Sequence, residues 1–555
     1  MNIKRILKLG RKKLIVVALV IVSGTLFAFT IGNEFQLSKN LEIYFSVIRN
    51  LNQHYVDGIN PDKLIKKSID AMLEDLDPYT TFIPEDEVSD LQFITTGKYG
   101  GIGSSIRMKG EYVMIAEPYE NTPACKAGLK AGDLIVAIDG VSTKDKNSSD
   151  VSSLLKGTPG TDLEITVKRH GKENNLKFIV TRQEIAIPTI QYYDMLTDSI
   201  GYINLSGFKS NSINEFIDAY NQLKKNDNFS SLVIDLRGNL GGLLNQSVEI
   251  ANLFIDKDEL IVYTKGRDED SMKEYKTISK PLDTKIPIVF LTSRSSASAS
   301  EILAGSFQDL DRGVIVGQRT FGKGLVQKTM PMSYNTILKV TSAKYYIPSG
   351  RCVQAIDFSH RNDDGSVGLI PDSLISEFKT RNGRIVKDGG GVTPDIVVTP
   401  EYLSKLSVEL LRQDIIFDYV TEFCAENETI PATADFNISD SEYEKFVAFA
   451  KKKDFSFETE TEKEIEKVIE IAKKEKYYEK SKEIFDKLKG KFSAEVFQDF
   501  YTFKEEISQM LKQEIVTRYY YRAGLIEASV SEDKTVHEAI RLLRNPQEYK
   551  KILKK

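Results

Sequence analysis

The chain has 555 residues, 41% of them hydrophobic, a net charge of −5 and three cysteines. That length exceeds a single hydrophobic core and calls for several domains, and the mild acidity excludes the basic excess of a nucleic-acid binder. Cys125, Cys352 and Cys424 are odd in number and far apart, so they supply neither a disulfide framework nor a CxxC metal site.

Taken in chain order, residues 2–13 carry Lys4, Arg5, Lys8, Arg11, Lys12 and Lys13 and no acid, and Leu14–Ile31 then runs without a charge. That run is long enough to cross a bilayer at about 1.5 Å per residue. The basic flank should stay cytoplasmic, which predicts a membrane anchor over 1–36 with the body exported. The alternative is a cleaved signal peptide and a soluble exported protein, although Phe27-Ala28-Phe29-Thr30 lacks the small-residue cleavage pattern. Residues 37–95 read as helical. Leu41, Phe45, Ile48 and Leu51 share a helix face, and Asn60-Pro61-Asp62 opens a second helix that Asp77-Pro78 ends.

Residues 96–183 change character. Glycines cluster from Gly97 to Gly103, short strands are predicted at Tyr112–Ala116 and Leu163–Lys168, and the run from Gly128 to Gly140 reads GLKAGDLIVAIDG. This segment resembles a PDZ domain of the bacterial protease-associated form. Gly101-Ile102-Gly103 resembles its carboxylate-binding loop, where glycines let backbone N–H groups converge on an anion while a strand edge accepts a peptide.

From 184 to 400 strands and helices alternate. Ser231–Leu236 is a buried strand that runs into Arg237-Gly238-Asn239-Leu240-Gly241-Gly242. Ile286–Thr292 is another, followed by a helix from about Ser298 to Leu310 and a strand at Val314–Val316. From Glu401 to the last residue, Lys and Glu dominate around apolar residues at helical spacing such as Ile465, Val468 and Ile469. This predicts a helical extension with a solvated charged face.

The four histidines, His54, His170, His360 and His537, form no HExxH or clustered ligand set, and there is no GxSxG elbow. No metal or organic cofactor is implied. Two other features carry chemistry. The serine run Thr292–Ile302 lies between a buried strand and a helix, where unpaired N–H groups favour an oxyanion. Gly317–Gly324 nearly matches a phosphate loop, but Gly324 stands where magnesium needs a hydroxyl, and Leu325-Val326-Gln327 reads as a strand where such a loop would open a helix. A glycine-flanked lysine, desolvated, can instead serve as a neutral general base. Ser206-Gly207-Phe208-Lys209 also spells SxxK, but no KTG accompanies it.

Together SASASEI, FGKGLVQ and DLRGNLGG, behind the PDZ-like segment, resemble the carboxyl-terminal processing peptidases, also called tail-specific proteases. The resemblance covers roughly residues 38–400. It implies a multidomain α/β fold: a spiral-like serine peptidase core, a PDZ β-domain, and helical N- and C-terminal regions. It also implies an endopeptidase with a Ser-Lys dyad, in which Ser298 is the nucleophile, Lys323 the base and Gln327 orients the amine. The oxyanion hole would be the N–H of Ala299 and that of Gly242, with Gly241 left open as the donor in its place. Peptides with exposed C-termini would enter through the PDZ loop. The segment Gly383–Ile396 resembles the closing segment of Gram-negative members, implying an inner-membrane-anchored, periplasmic enzyme. The terminal helices could pair two copies or dock an adaptor. The rival readings are an inactive PDZ scaffold and a protease activated by a partner on the extension.

Overall fold

The computed structural model describes residues 35–554 apart from 363–365 and 493–495. The expected membrane segment Leu14–Ile31 lies outside the described residues. Among those described, no helix is long and apolar enough to cross a membrane. The chain divides into two units, up to Phe82 and from Ile83 on.

In the first unit a helix spans 35–54 and a second runs Pro61–Glu74. Asn60 caps the second by accepting the Lys63 N–H, with Pro61 at the first helical position, where its missing N–H costs nothing. The predicted face bearing Leu41, Phe45 and Leu51 is exposed.

The second unit begins with the β-domain. Strands Ser104–Lys109, Tyr112–Pro118, Leu134–Ile138, Asp162–Lys168 and Leu176–Thr181 follow one another across an antiparallel sheet. Leu163, Ile165 and Val167 alternate inward, as the two-residue strand period requires, and pack with Ile102, Ile115 and Val151. Ser104–Lys109 is an edge strand, and the helix Ser148–Leu155 belongs to the same domain.

The peptidase-like core is a six-stranded sheet in the order Ile190–Met195, Ile200–Leu205, Ser231–Asp235, Ile288–Thr292, Val314–Gly317 and Ile396–Val397. The first pair is antiparallel and the rest parallel. Ser231–Asp235 and Ile288–Thr292 are buried at every residue, as parallel strands covered on both faces must be. Helices Ser212–Leu223, Leu244–Asn252 and Ala299–Asp309 cover one face, packing Phe216, Ile250 and Leu303 against Ile203, Ile234 and Phe290. The other face carries Tyr202, Val233, Val289, Leu291 and Val316, and is covered by Ile526, Val530, Val536, Ala539, Leu542 and Tyr549. Thus part of the region expected as a solvated extension is a layer of the core. Val536, Ala539 and Leu542 recur every three residues and form the apolar stripe that needs a partner.

The rest of that region forms its own helical core, with Leu410, Val420, Phe446 and Leu511 buried together. The long helix Lys504–Val530 serves both, and its break lies at Tyr521, whose φ is 53°. That left-handed conformation is strained for a bulky residue. The Tyr521 hydroxyl lies 3.1 Å from Cys125 Sγ of the β-domain. The helical region also grips the β-domain through Asp414, which pairs with Arg107 and Lys109, and Asp418, which pairs with Lys109. The α/β architecture with a β-domain and helical regions is thus the one the sequence implied.

Candidate active site

The parallel strands deliver all three motifs to one edge of the sheet. The DLRGNLGG loop follows Ser231–Asp235, the serine loop follows Ile288–Thr292, and the FGKG loop follows Val314–Gly317. The carboxyl ends of such strands are where α/β sheets bind ligands.

Ser298 caps the helix Ala299–Asp309 with φ 57° and ψ −113°. From Ser296 to Leu310 it is the one residue that is not buried. Three residues on, Glu301 is fully buried, and its carboxylate gathers four donors. Oε1 accepts from Thr320 Oγ1 at 2.6 Å and Gly322 N at 2.7 Å. Oε2 accepts from Ser298 N and Lys323 N, each at 2.8 Å. A buried carboxylate is tolerable only when so satisfied. Even so, burial pushes its pKa up to about 7, with the hydrogen bonds acting in the opposite direction.

The FGKG loop is held from its other side as well. Gly322 O accepts from Ala355 N, and Gly324 N donates to Gln354 Oε1 at 2.8 Å. A Cβ on Gly322 would stand 2.4 Å from that of Ala355, so the glycine is required by close approach. Tyr345, fully buried, ties the two loops again: its N–H donates to Gly324 O and its hydroxyl to Ser298 O at 3.2 Å. Lys323 itself is half-buried. Leu325–Pro331 is a strand, so the loop does not open a helix as a phosphate loop would.

Asn239, fully buried, joins the DLRGNLGG loop to the serine loop. Its carbonyl accepts from Ala297 N and Ser300 Oγ, its Nδ2 donates to Leu205 O, and its Oδ1 accepts from Gly241 N at 2.8 Å. Gly241 is so close to Ser298 that a Cβ on it would lie 2.8 Å from the serine's own. Gly242 is bridged to Phe208. The N–H groups of Gly242 and Ala299 have no acceptor among the described residues.

Gln327 Nε2 donates to Thr341 Oγ1 at 3.2 Å. Ser206 and Lys209 serve separate partners, Ser206 Oγ donating to Thr189 O and Lys209 Nζ to Ile187 O. Three of the four histidines are engaged away from these loops: His360 with Asp357, His537 with Ser531 O, and His170 facing Glu422. In the β-domain, Ile102 is buried and its carbonyl accepts from Ala124 N. Gly103 has φ 77°, and its carbonyl accepts from Tyr119 N and Thr122 Oγ1. Gly101 ends the strand Lys98–Gly101, which pairs with Gln183–Ala186.

Sequence reading did not single out Glu301, Asn239, Thr320 or Tyr345. Glu301 carried a signal, since Ser-x-x-Glu ahead of an apolar run is a capping box. Tyr345 carried none, because its contact crosses 47 residues.

Comparison with known proteins identifies the family. The family model "Peptidase family S41" matches residues 199–372, "PDZ domain" matches 114–169, and "Probable PDZ-protease, C-terminal helical domain" matches 406–543. A carboxy-terminal-processing protease of Bartonella bacilliformis is 32% identical over 66% of this chain and 83% of its own. A CtpA-like serine protease of Staphylococcus haemolyticus is 33% identical over 64% of this chain and 70% of its own. Among solved structures, a photosystem II D1 C-terminal processing protease aligns at 28% identity with 65% of this chain and 93% of its own, at a TM-score of 0.35. By the extent of these sequence matches, the chain belongs to the S41 peptidases, as a PDZ-containing, carboxy-terminal-processing serine protease.

Proposed function

We propose that the enzyme cuts with a Ser298–Lys323 dyad. The observation that carries this reading is the single Glu301 oxygen on which the backbone N–H groups of both residues end, which registers the two loops against each other. Ser298 Oγ attacks the scissile carbonyl while the neutral Lys323 amine takes its proton. The tetrahedral oxyanion is received by the N–H groups of Ala299 and Gly242, which no acceptor among the described residues claims. Gly241 is the poorer candidate, since its N–H is held by Asn239. The protonated lysine then hands its proton to the leaving amine, and water attacks the acyl-enzyme with Lys323 again as base. Gln327 is assigned to orient the amine. A casein and tail-peptide assay tests the dyad: Ser298→Ala, Lys323→Ala and Lys323→Arg should all abolish cleavage, the last because arginine stays charged. Wild-type rates in Ser298→Ala would discard it, and so would wild-type rates in Lys323→Arg.

Substrates on this reading are proteins with exposed C-terminal tails, admitted through Gly101-Ile102-Gly103 at the edge strand Ser104–Lys109. The basic stretch from Lys4 to Lys13 and the uncharged Leu14–Ile31 support an exported, membrane-held, periplasmic body. Protease shaving of spheroplasts against intact cells tests this location. Protection of the body in spheroplasts would overturn it.

A further inference from the structure

The loop expected to receive a peptide carboxylate is not open in this structure. Tyr99, in the strand Lys98–Gly101, lays its ring along the loop, its Cε2 only 2.7 Å from where a Cβ on Gly101 would stand. Burial raises the pKa of its hydroxyl to about 12, against the pull of the neighbouring Gly103 and Ser104 backbone N–H groups, which act to lower it. Beside it, Ser104 Oγ is buried and has no hydrogen-bond partner among the described residues. Converging N–H donors with an idle hydroxyl are what a carboxylate needs, and here a phenol oxygen of the chain itself stands among them.

We propose that Tyr99 is an internal stopper of the tail site: its hydroxyl occupies the seat of the incoming C-terminal carboxylate, so a tail binds only by displacing it. This rests on the reading that the PDZ domain takes C-terminal tails. The displacement falls on a sensitive place. Tyr99 pairs with Ile185 in the two-stranded ladder where the chain enters and leaves the β-domain. Its ring meets Phe93 edge-on at 5.1 Å, Phe93 lies under Lys209 Nζ at 5.5 Å, and Lys209 follows Phe208, the bridge partner of Gly242. A tail that moves Tyr99 therefore pushes on side chains that lead to the oxyanion loop.

The test uses the full chain carrying Ser298→Ala, with and without Tyr99→Phe, and a dye-labelled decapeptide ending in three alanines, as free carboxylate and as C-terminal amide. Tyr99→Phe keeps the ring and empties the seat, so affinity for the carboxylate peptide should rise about fivefold while the amide stays weak in both. Unchanged or weaker carboxylate binding in Tyr99→Phe, with carboxylate still preferred over amide, would remove the stopper and leave the tail-binding reading standing. Failure of both proteins to distinguish carboxylate from amide would remove that reading and the stopper with it.

Discussion

Ser298 and Lys323, 25 positions apart in the chain, place their backbone N–H groups on the same oxygen of Glu301. One buried carboxylate therefore sets the distance between the two loops proposed to carry the chemistry. Removing it leaves three backbone donors and the Thr320 hydroxyl without their acceptor. Misplacement by about 1 Å is enough to cost on the order of 10²-fold in rate. Glu301→Ala should lose at least that in kcat, while tail-peptide binding to the PDZ domain stays at the wild-type level. Steady-state kinetics beside a binding titration checks the split.

The same carboxyl makes stability depend on pH. Its pKa is raised from 4.5 to about 7 in the folded protein, so between those values the folded state holds more proton than the unfolded chain. The contribution is fully present below 4.5 and is lost as pH rises through about 7. Glu301→Gln, which cannot titrate, should show a flatter thermal midpoint over that window than the wild type. Parallel slopes would contradict the assignment.

At the oxyanion loop the prediction concerns Gly242. A Cβ there would lie 2.1 Å from Phe208 O, so Gly242→Ala must shift the loop and its N–H. Loss of one oxyanion donor costs about 10²–10³ in kcat. The effect should fall on kcat, with KM for a tail peptide little changed.

The grip between the helical region and the PDZ domain is electrostatic and partly exposed: the Asp414 side chain is 19% accessible and that of Arg107 37%. Such pairs contribute at most about 1 kcal/mol each and are screened by salt. Asp414→Asn should leave global stability nearly unchanged but speed hydrogen exchange in Ser104–Lys109. Raising the salt in the wild type should reproduce part of that change.

Tyr549 gives the clearest packing prediction. Buried under the sheet, its hydroxyl donates to Ile288 O and accepts from Ile288 N, both at 3.0 Å. Tyr549→Phe keeps the ring but strands those groups, and should cost about 1–3 kcal/mol in chemical denaturation.

What was legible in the sequence was local. Leu232–Ile234 and Ile288–Leu291 announce themselves as apolar runs inside their strands, and Leu325-Val326-Gln327 shows as a strand that rules out the phosphate loop. The link from Glu301 to Lys323 was not legible, because a capping box names one partner and the other lies 22 residues further on. The role of Val536, Ala539 and Leu542 was hidden for another reason. Periodicity says that a face must be covered, not what covers it, and the surrounding Lys and Glu disguise it as a solvent face. Tyr345 and Asn239 act through contacts that no spacing rule records.

Residues 526–553 complete the hydrophobic sandwich around strands made some two to three hundred residues earlier in synthesis. Until that late segment arrives, the sheet beneath the serine loop stands with one oily side bare, and the cutting machinery has no firm floor. The protease should therefore be born silent, unable to attack its neighbours or itself while still being made, and should switch on only once these helices have closed the core.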